Sequence, residues 1–190
     1  MSVNLLVFAG SLRRDSLNKK LARFAARMAE AAGARVTHIE LNDYPMPIYD
    51  GDIEAGEGPP ENAFRLQTLI AAQQGLIIVS PEYNHSIPAL LKNTLDWVSR
   101  TPRVRGPNPF AGKVAGLMSA SPGALGGIQG QDHVRRVLET VGALVLPGGV
   151  ALPRADAAFD AEDNLTDTAM AQRVQDLINR VVATATKLAT

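Results

Sequence analysis

Two stretches of the chain carry side chains whose types and spacing suit an anion and a flat ring. The first is Gly10-Ser11-Leu12-Arg13-Arg14-Asp15-Ser16-Leu17-Asn18, where hydroxyls, an amide and guanidinium groups precede an amphipathic run. A helix starting there offers unpaired N–H groups and its positive dipole end, which together stabilise a phosphate. Ser11, Ser16 and Asn18 can donate to phosphate oxygens, and Arg13 can supply a charge-assisted fork. The same residues also suit a plain helix start, with Ser16 or Asn18 as cap and both arginines solvated. Rival uses of the position lack their residues: a phosphatase cysteine, the Gly-Lys-Ser/Thr ending of a Walker loop, and a Gly-x-Gly-x-x-Gly fingerprint are all missing.

The second stretch is Pro81-Glu82-Tyr83-Asn84-His85-Ser86-Ile87-Pro88. Its two prolines pin φ around an aromatic and an amide, which predicts a stiff wall rather than a flexible lid. Rigid backbone N–H and C=O groups can match the polar edge of a heterocycle, while Tyr83 offers a packing face. The alternative is a rigid turn in which Ser86 caps the next helix and Pro88 is its first residue.

The elements that must hold these loops follow from hydrophobic periodicity. Continuous apolar runs over 4–9 and 76–79 read as strands buried on both faces. Further strands are predicted over 35–41, 114–119 and 144–146. Helical spacing of apolar residues predicts helices over 17–32, 61–74, 88–99, 131–141 and 166–188, with Gly33 stopping the first. The polar, Pro- and Gly-rich segment 43–60 reads as a long connection. Strands alternating with helices make a parallel sheet by right-handed crossovers. Five of each in 190 residues fit an α/β, flavodoxin-like three-layer sandwich with strand order 2-1-3-4-5. Its topological switch point lies between the first and third strands, which selects the two loops above as the ligand site.

Composition narrows the classes. With 46% hydrophobic and 20% charged residues the chain is predicted to be an ordinary globular domain spanning 1–190, not a disordered or low-complexity one. Nineteen basic residues balance nineteen acidic ones, so no global field favours nucleic acid or anionic membrane. The absence of cysteine removes disulfides, thiolate metal sites and thiol nucleophiles, and suits the cytoplasm. No apolar run approaches a membrane span, and the three histidines and scattered carboxylates show no metal-ligand spacing.

Gly10-Ser11-Leu12-Arg13 with Ser16 and Asn18, then Pro81-Glu82-Tyr83-Asn84, then Ser86-Ile87-Pro88 followed by Leu91-Lys92-Asn93 and Asp96-Trp97-Val98-Ser99-Arg100 resemble the signature of the NAD(P)H-dependent FMN reductase family. That family includes bacterial quinone, chromate and azo-dye reductases. The resemblance runs in one register from Val3 to about Pro147. It implies that Ser11, Arg13, Ser16, Leu17 and Asn18 hold the FMN phosphate through side chains and amides. It implies that Pro81, Glu82, Tyr83 and Asn84 lie along the ring, largely by backbone atoms. Ser119, Ser121 and Gly123 would close the remaining edge, with Gly126-Gly127 leaving room for a nicotinamide. The family's pattern has a smaller residue and often an arginine where Ile128-Gln129 stand.

The implied reaction passes a hydride from NADH or NADPH to flavin N5 and then to a small acceptor in the same pocket. The cofactor carries this chemistry, so no side chain is nominated as catalytic. Tyr83 could protonate a bound quinone and His85 could tune local charge, while His38 and His133 read as structural. The resemblance also implies a homodimer or homotetramer through the 88–100 helix, with Trp97 available for that surface. Within that helix Asp96 and Arg100 have the favourable i,i+4 order, and Lys92 and Asp96 the weaker one. Arg100, Arg103, Arg105 and Lys113 could receive a 2′-phosphate or form a solvated face. Two other uses of the pocket remain open: a nonenzymatic flavodoxin-type electron carrier, which the neutral charge balance disfavours, and a nucleotide sensor without turnover.

Overall fold

The computed structural model describes residues 2–189, apart from the side chain of Arg103. The chain runs β1 (Asn4–Ala9), α1 (Leu17–Ala31), β2 (Arg35–Glu40), α2 (Gly51–Gly56), α3 (Glu61–Ala71), β3 (Gly75–Val79), α4 (Ala89–Arg100), β4 (Val114–Ala120), α5 (Ile128–Thr140), β5 (Leu144–Val145), β6 (Val150–Leu152) and α6 (Thr168–Leu188). All strands are parallel, in the order β2-β1-β3-β4-β5, with β6 also paired to β4. This is the flavodoxin-like architecture predicted from the periodicity.

Why the central strands read as unbroken apolar runs is visible in their two faces. Leu5, Val7, Ile77, Val79 and Met118 point to one side, under Leu21, Phe24 and Ala25 of α1 and Val174, Leu177, Ile178 and Val181 of α6. Their alternates Leu6, Phe8, Leu76, Ile78 and Leu117 point to the other, under Leu66 and Ile70 of α3, Leu91 and Leu95 of α4, and Val134 and Leu138 of α5. A period of two with both faces covered calls for apolar side chains on both, with Ser119 of β4 a buried exception. Each such leucine or isoleucine, buried in full, contributes about 1.5–3 kcal/mol.

Three expectations are corrected here. The fifth strand is not one piece over 144–146: β5 pairs Leu144 and Val145 with Val114 and Ala115, and β6 pairs Val150–Leu152 with Met118, Ser119 and Ala120. Between them Leu146-Pro147-Gly148-Gly149 breaks the ladder, because Pro147 has no N–H and Gly148 sits at φ 70. The segment 43–60 is not all connection. Asp50 caps α2 within it, its carboxylate accepting from the Asp52 amide at 2.8 Å.

Trp97 is not available for another surface. Segment 43–60 folds over it, so the indole is fully buried, donates from Nε1 to the Pro47 carbonyl at 2.8 Å and meets the Tyr49 ring edge-on at 4.9 Å. Asn93 pins the same segment, accepting from the Tyr49 amide at 2.7 Å and donating to Pro47 at 2.8 Å. The segment also captures Arg100, which lies 5.2 Å over the Tyr49 ring and 3.8 Å from Glu54. Asp96 therefore pairs with Lys92, at 2.7 Å, despite the weaker order.

Candidate functional site

At the carboxyl end of β1 the chain passes through Gly10, whose amide donates to Val79 at 2.9 Å, and enters α1 within seven residues. Ser16 is the N-cap, its hydroxyl accepting from the Lys19 amide at 3.4 Å. The next two amides, of Leu17 and Asn18, have no acceptor among the described residues. Nor has the Arg13 guanidinium a partner there, whereas Arg14 and Asp15 make an exposed pair at 3.7 Å. Ser11 accepts from the Arg13 amide at 3.3 Å, and its own proton remains to donate.

These groups border one cavity of about 90 Å³, room for about three waters, which is phosphate-sized. Ser11, Arg13, Ser16, Leu17 and Asn18 line one side of it, and Pro81, Glu82, Tyr83 and Ser121 the other. Ala120 and Pro122 complete the lining. Sequence reasoning passed over both, since neither carries a functional group. Asn84, Ser119 and Gly123 are not among the lining residues.

Asn18 reaches the cavity differently from the expectation. Its side-chain amide donates to the Ala120 carbonyl and accepts from the Ala120 amide, both at 2.9 Å. With its side-chain carbonyl and one side-chain N–H engaged by Ala120, its backbone N–H is left as a donor for an anion. Buried Lys19, one residue on, turns away to Glu40 at 2.6 Å and Asn42 at 2.8 Å.

The second loop is stiffened by a turn as well as by its prolines. Tyr83 and Ser86 exchange backbone hydrogen bonds of 3.1 Å each. Asn84 and His85 between them sit at φ 50 and φ 60, the successive left-handed pair of a type I′ turn. Asparagine and histidine tolerate that region better than most residues. Tyr83 is 52% exposed, with no partner for its hydroxyl among the described residues.

Glu82 does more than line the cavity. Its Oε2 accepts from the Gly130 amide at 2.7 Å, in the first turn of α5. A carboxylate at a helix N-terminus is favourable for both hydrogen bonding and dipole reasons, and it starts α5 at Ile128 rather than at Gln131. His85 Nδ1 touches Glu82 at 3.5 Å and contacts Gln129. Ser86 does not cap α4, whose N-cap is Pro88. Its hydroxyl pairs instead with His133 Nδ1 at 2.7 Å, giving that histidine a partner. His38 in β2 has its pKa lowered, by burial first, with Arg23 adding to the effect and Glu40 opposing it.

The third loop, 121–127, departs most from expectation. Ser119 is fully buried and faces inward: its hydroxyl donates to the Gly126 carbonyl and accepts from Gln131 Nε2, both at 2.7 Å. Gly126 and Gly127 are left-handed, at φ 63 and φ 84. A Cβ on Gly126 would lie 2.8–2.9 Å from backbone atoms of Ala151, Leu152 and Pro153, so the chain's own packing requires glycine there. Ser121 lines the cavity and accepts from the Gly123 amide at 3.1 Å.

Among the described side chains, the basic residues around the proline-rich loop do not gather into a phosphate site. Arg105 stacks 4.1 Å over Phe64, and Lys113 donates to the Ala71 and Gln73 carbonyls at 2.9 and 2.5 Å. Arg100 is held by Tyr49, and the Arg103 side chain lies outside the described residues. A wider groove of about 630 Å³ lies along the sheet edge between β6 and α6 and includes none of the expected residues.

Comparison with known proteins agrees with this geometry. The model of the NADPH-dependent FMN reductase family matches residues 3–157. A quinone reductase of Escherichia coli K12 is 36% identical over 148 residues, covering 76% of this chain and 73% of that one. A 2-hydroxy-1,4-benzoquinone reductase of a Burkholderia species is 31% identical over 184 residues, covering 96% of each. The structure of FerB, a flavoenzyme NAD(P)H:(acceptor) oxidoreductase from Paracoccus denitrificans, superposes with a TM-score of 0.80 at 29% identity, covering 97% of this chain and 98% of that one. The chain belongs to the NADPH-dependent FMN reductase family and is an FMN-dependent oxidoreductase that uses NAD(P)H.

Proposed function

We propose that the cleft holds FMN tail first and that the enzyme passes electrons from NADH or NADPH to a small acceptor by a ping-pong sequence. The acceptor class is a quinone, an azo compound, a metal oxyanion or free flavin, with quinones favoured by the names of the relatives. The carrying observation is the convergence of two unpaired helix amides, the Ser11 and Ser16 hydroxyls and an unpartnered Arg13 on one phosphate-sized cavity. FMN held there would supply the hydride-accepting and electron-donating chemistry, the chain supplying its place and surroundings.

The chain's own groups bind and orient. Ser11, Arg13, Ser16 and the amides of Leu17 and Asn18 hold the phosphate. Pro81, Glu82, Tyr83 and Asn84 present the ring-side wall, with the amides of Glu82 and Asn84 unpaired among the described residues. Ser121 and Gly123 border the remaining edge, while Ser119 supports it from beneath. The fixed N–H dipoles of Glu82 and Asn84 favour developing negative charge without reorganisation. The Tyr83 hydroxyl, without a partner among the described residues, is a group able to give a proton to a reduced quinone.

The whole of 1–190 acts as one flavodoxin-like unit, working in the cytoplasm where nicotinamide donors are held. Self-association as a homodimer or homotetramer through the 88–100 helix is supported by the exposed apolar side chains of Leu12, Ile48 and Tyr83, which are 51, 75 and 52% exposed. Sedimentation at micromolar concentration reads this directly, and monomers would overturn it. The activity is tested by adding NADPH without oxygen to FMN-loaded protein: the visible flavin absorption is expected to bleach, and to return when a quinone is admitted. Persistent absorption would overturn the reading.

A further inference from the structure

The first turn of α5 carries a buried amide that the flavin contacts alone do not explain. Gln131 is 6% exposed and points from α5 into the sheet. Its Nε2 donates to Ser119 Oγ at 2.7 Å and to the Val150 carbonyl at 2.9 Å, which uses both of its N–H groups. Its Oε1 lies 2.1 Å from where a Cβ on Gly149 would stand, and that Cβ would also meet the Leu117 carbonyl at 2.9 Å. Only glycine fits at 149 while Gln131 is in place. Gly149 is the last residue of the break between β5 and β6, so the interruption of the fifth strand is the opening through which Gln131 reaches Ser119.

What Ser119 does next connects this to the cleft. Its hydroxyl donates to the Gly126 carbonyl at 2.7 Å, fixing the turn that ends loop 121–127. The same loop is tied beneath by the Ser121 amide to Leu152 at 3.1 Å and by the Ala155 amide to Ser121 at 3.1 Å. The amides of Ala124, Leu125 and Gly127 have no acceptor among the described residues and are the loop's available donors. A buried network in which each polar group is satisfied holds one geometry, and losing one member leaves the others short of partners.

We infer that Gln131 is a positioning residue: acting through Ser119, and admitted by the gap at Gly149, it holds loop 121–127 in the shape that grips the flavin ring. The inference rests on the proposed flavin site. Gln131 is not among the residues lining the phosphate-sized cavity and reaches loop 121–127 through Ser119, so its effect is expected on the part of the grip that FMN and riboflavin share.

Two variants reach the network from opposite sides. Gln131→Met keeps the length and removes both donors, and Gly149→Ala displaces the amide without altering it. Riboflavin and FMN dissociation constants, from flavin fluorescence, are each expected to rise about tenfold in both variants, by the same factor for the two ligands. The double variant is expected to be no worse than the worse single one. Amide exchange in flavin-free protein is expected to quicken over 121–127 and to stay unchanged in the first turn of α1. Val134→Ala, in the core one turn along α5, lowers stability without touching the network and is expected to leave both affinities unchanged. Unaltered riboflavin affinity and loop exchange in folded Gln131→Met would overturn the inference, as would an equal affinity loss in Val134→Ala. If Gln131→Met does not fold, Gly149→Ala decides alone. Wild-type protein that binds neither flavin would overturn the proposed function, while loop exchange would still test the network.

Discussion

At the tail end of the cleft, the parts come from one short stretch: a buried strand ends, and within nine residues Ser11, Ser16 and Asn18, 3 to 4% exposed, lead into α1 with two amides left over. At the ring end the parts come from segments far apart in the chain, joined by contacts such as Glu82 to Gly130, 48 residues apart. A phosphate asks for N–H groups and a cation, which one helix start supplies. A flat ring asks for walls and edges at fixed separation, which only non-local packing supplies. The tail end is therefore expected to choose between FMN and riboflavin, and the ring end to treat the two alike.

The largest break in this comparison is expected from Asn18→Ala, which leaves the Ala120 amide and carbonyl without partners and unties the two ends. Urea unfolding should register a loss of about 3 kcal/mol, two buried hydrogen bonds being involved; an unchanged midpoint would mean the ends are not coupled through it. Next is Arg13→Ala, expected to weaken FMN by about 2 kcal/mol, roughly thirtyfold, as a charge-assisted bond is lost. Riboflavin affinity should not move, and a parallel loss of riboflavin would erase the distinction between the ends.

Smaller still, Glu82→Ala removes the carboxylate at the α5 start and is expected to cost about 1–2 kcal/mol of stability. It should weaken FMN and riboflavin by one common factor, and a loss confined to FMN would reverse the assignment of ends. The smallest effect belongs to neither end. Burial lowers the pKa of His38 from its ordinary 6.5. As pH falls through that value the unfolded chain takes up a proton that the folded chain refuses. Stability is therefore full above it and declines below it, until the folded imidazole also protonates. His38→Gln should flatten that slope in chemical denaturation between pH 7 and 5, and an unchanged slope would move its origin elsewhere.

How far the sequence reveals these two ends follows the same division. Ser16 as cap, the strand before it and the helix after it are local signals, so the cradle is legible in the order of residues. Asn18 is legible as a polar residue at a helix start but not as a clamp, because Ala120 lies 102 positions away. Ser119 looks like a ligand in the motif and turns inward because Gln131 and Gly126 claim its hydroxyl. Trp97 reads as a surface residue until segment 43–60 folds across it, and nothing in its own helix encodes that cover. Leu146-Pro147-Gly148-Gly149 does announce an interruption, yet its purpose depends on a glutamine one helix earlier.

The central claim is that FMN docks phosphate first where the sheet changes direction, beside the start of α1. Calorimetric titration of flavin-free protein with FMN and with riboflavin, under identical conditions, tests it most directly. FMN is expected to bind at least about tenfold more tightly, from a charged contact and two helix amides. Equal affinities, or no heat from either flavin, would contradict it.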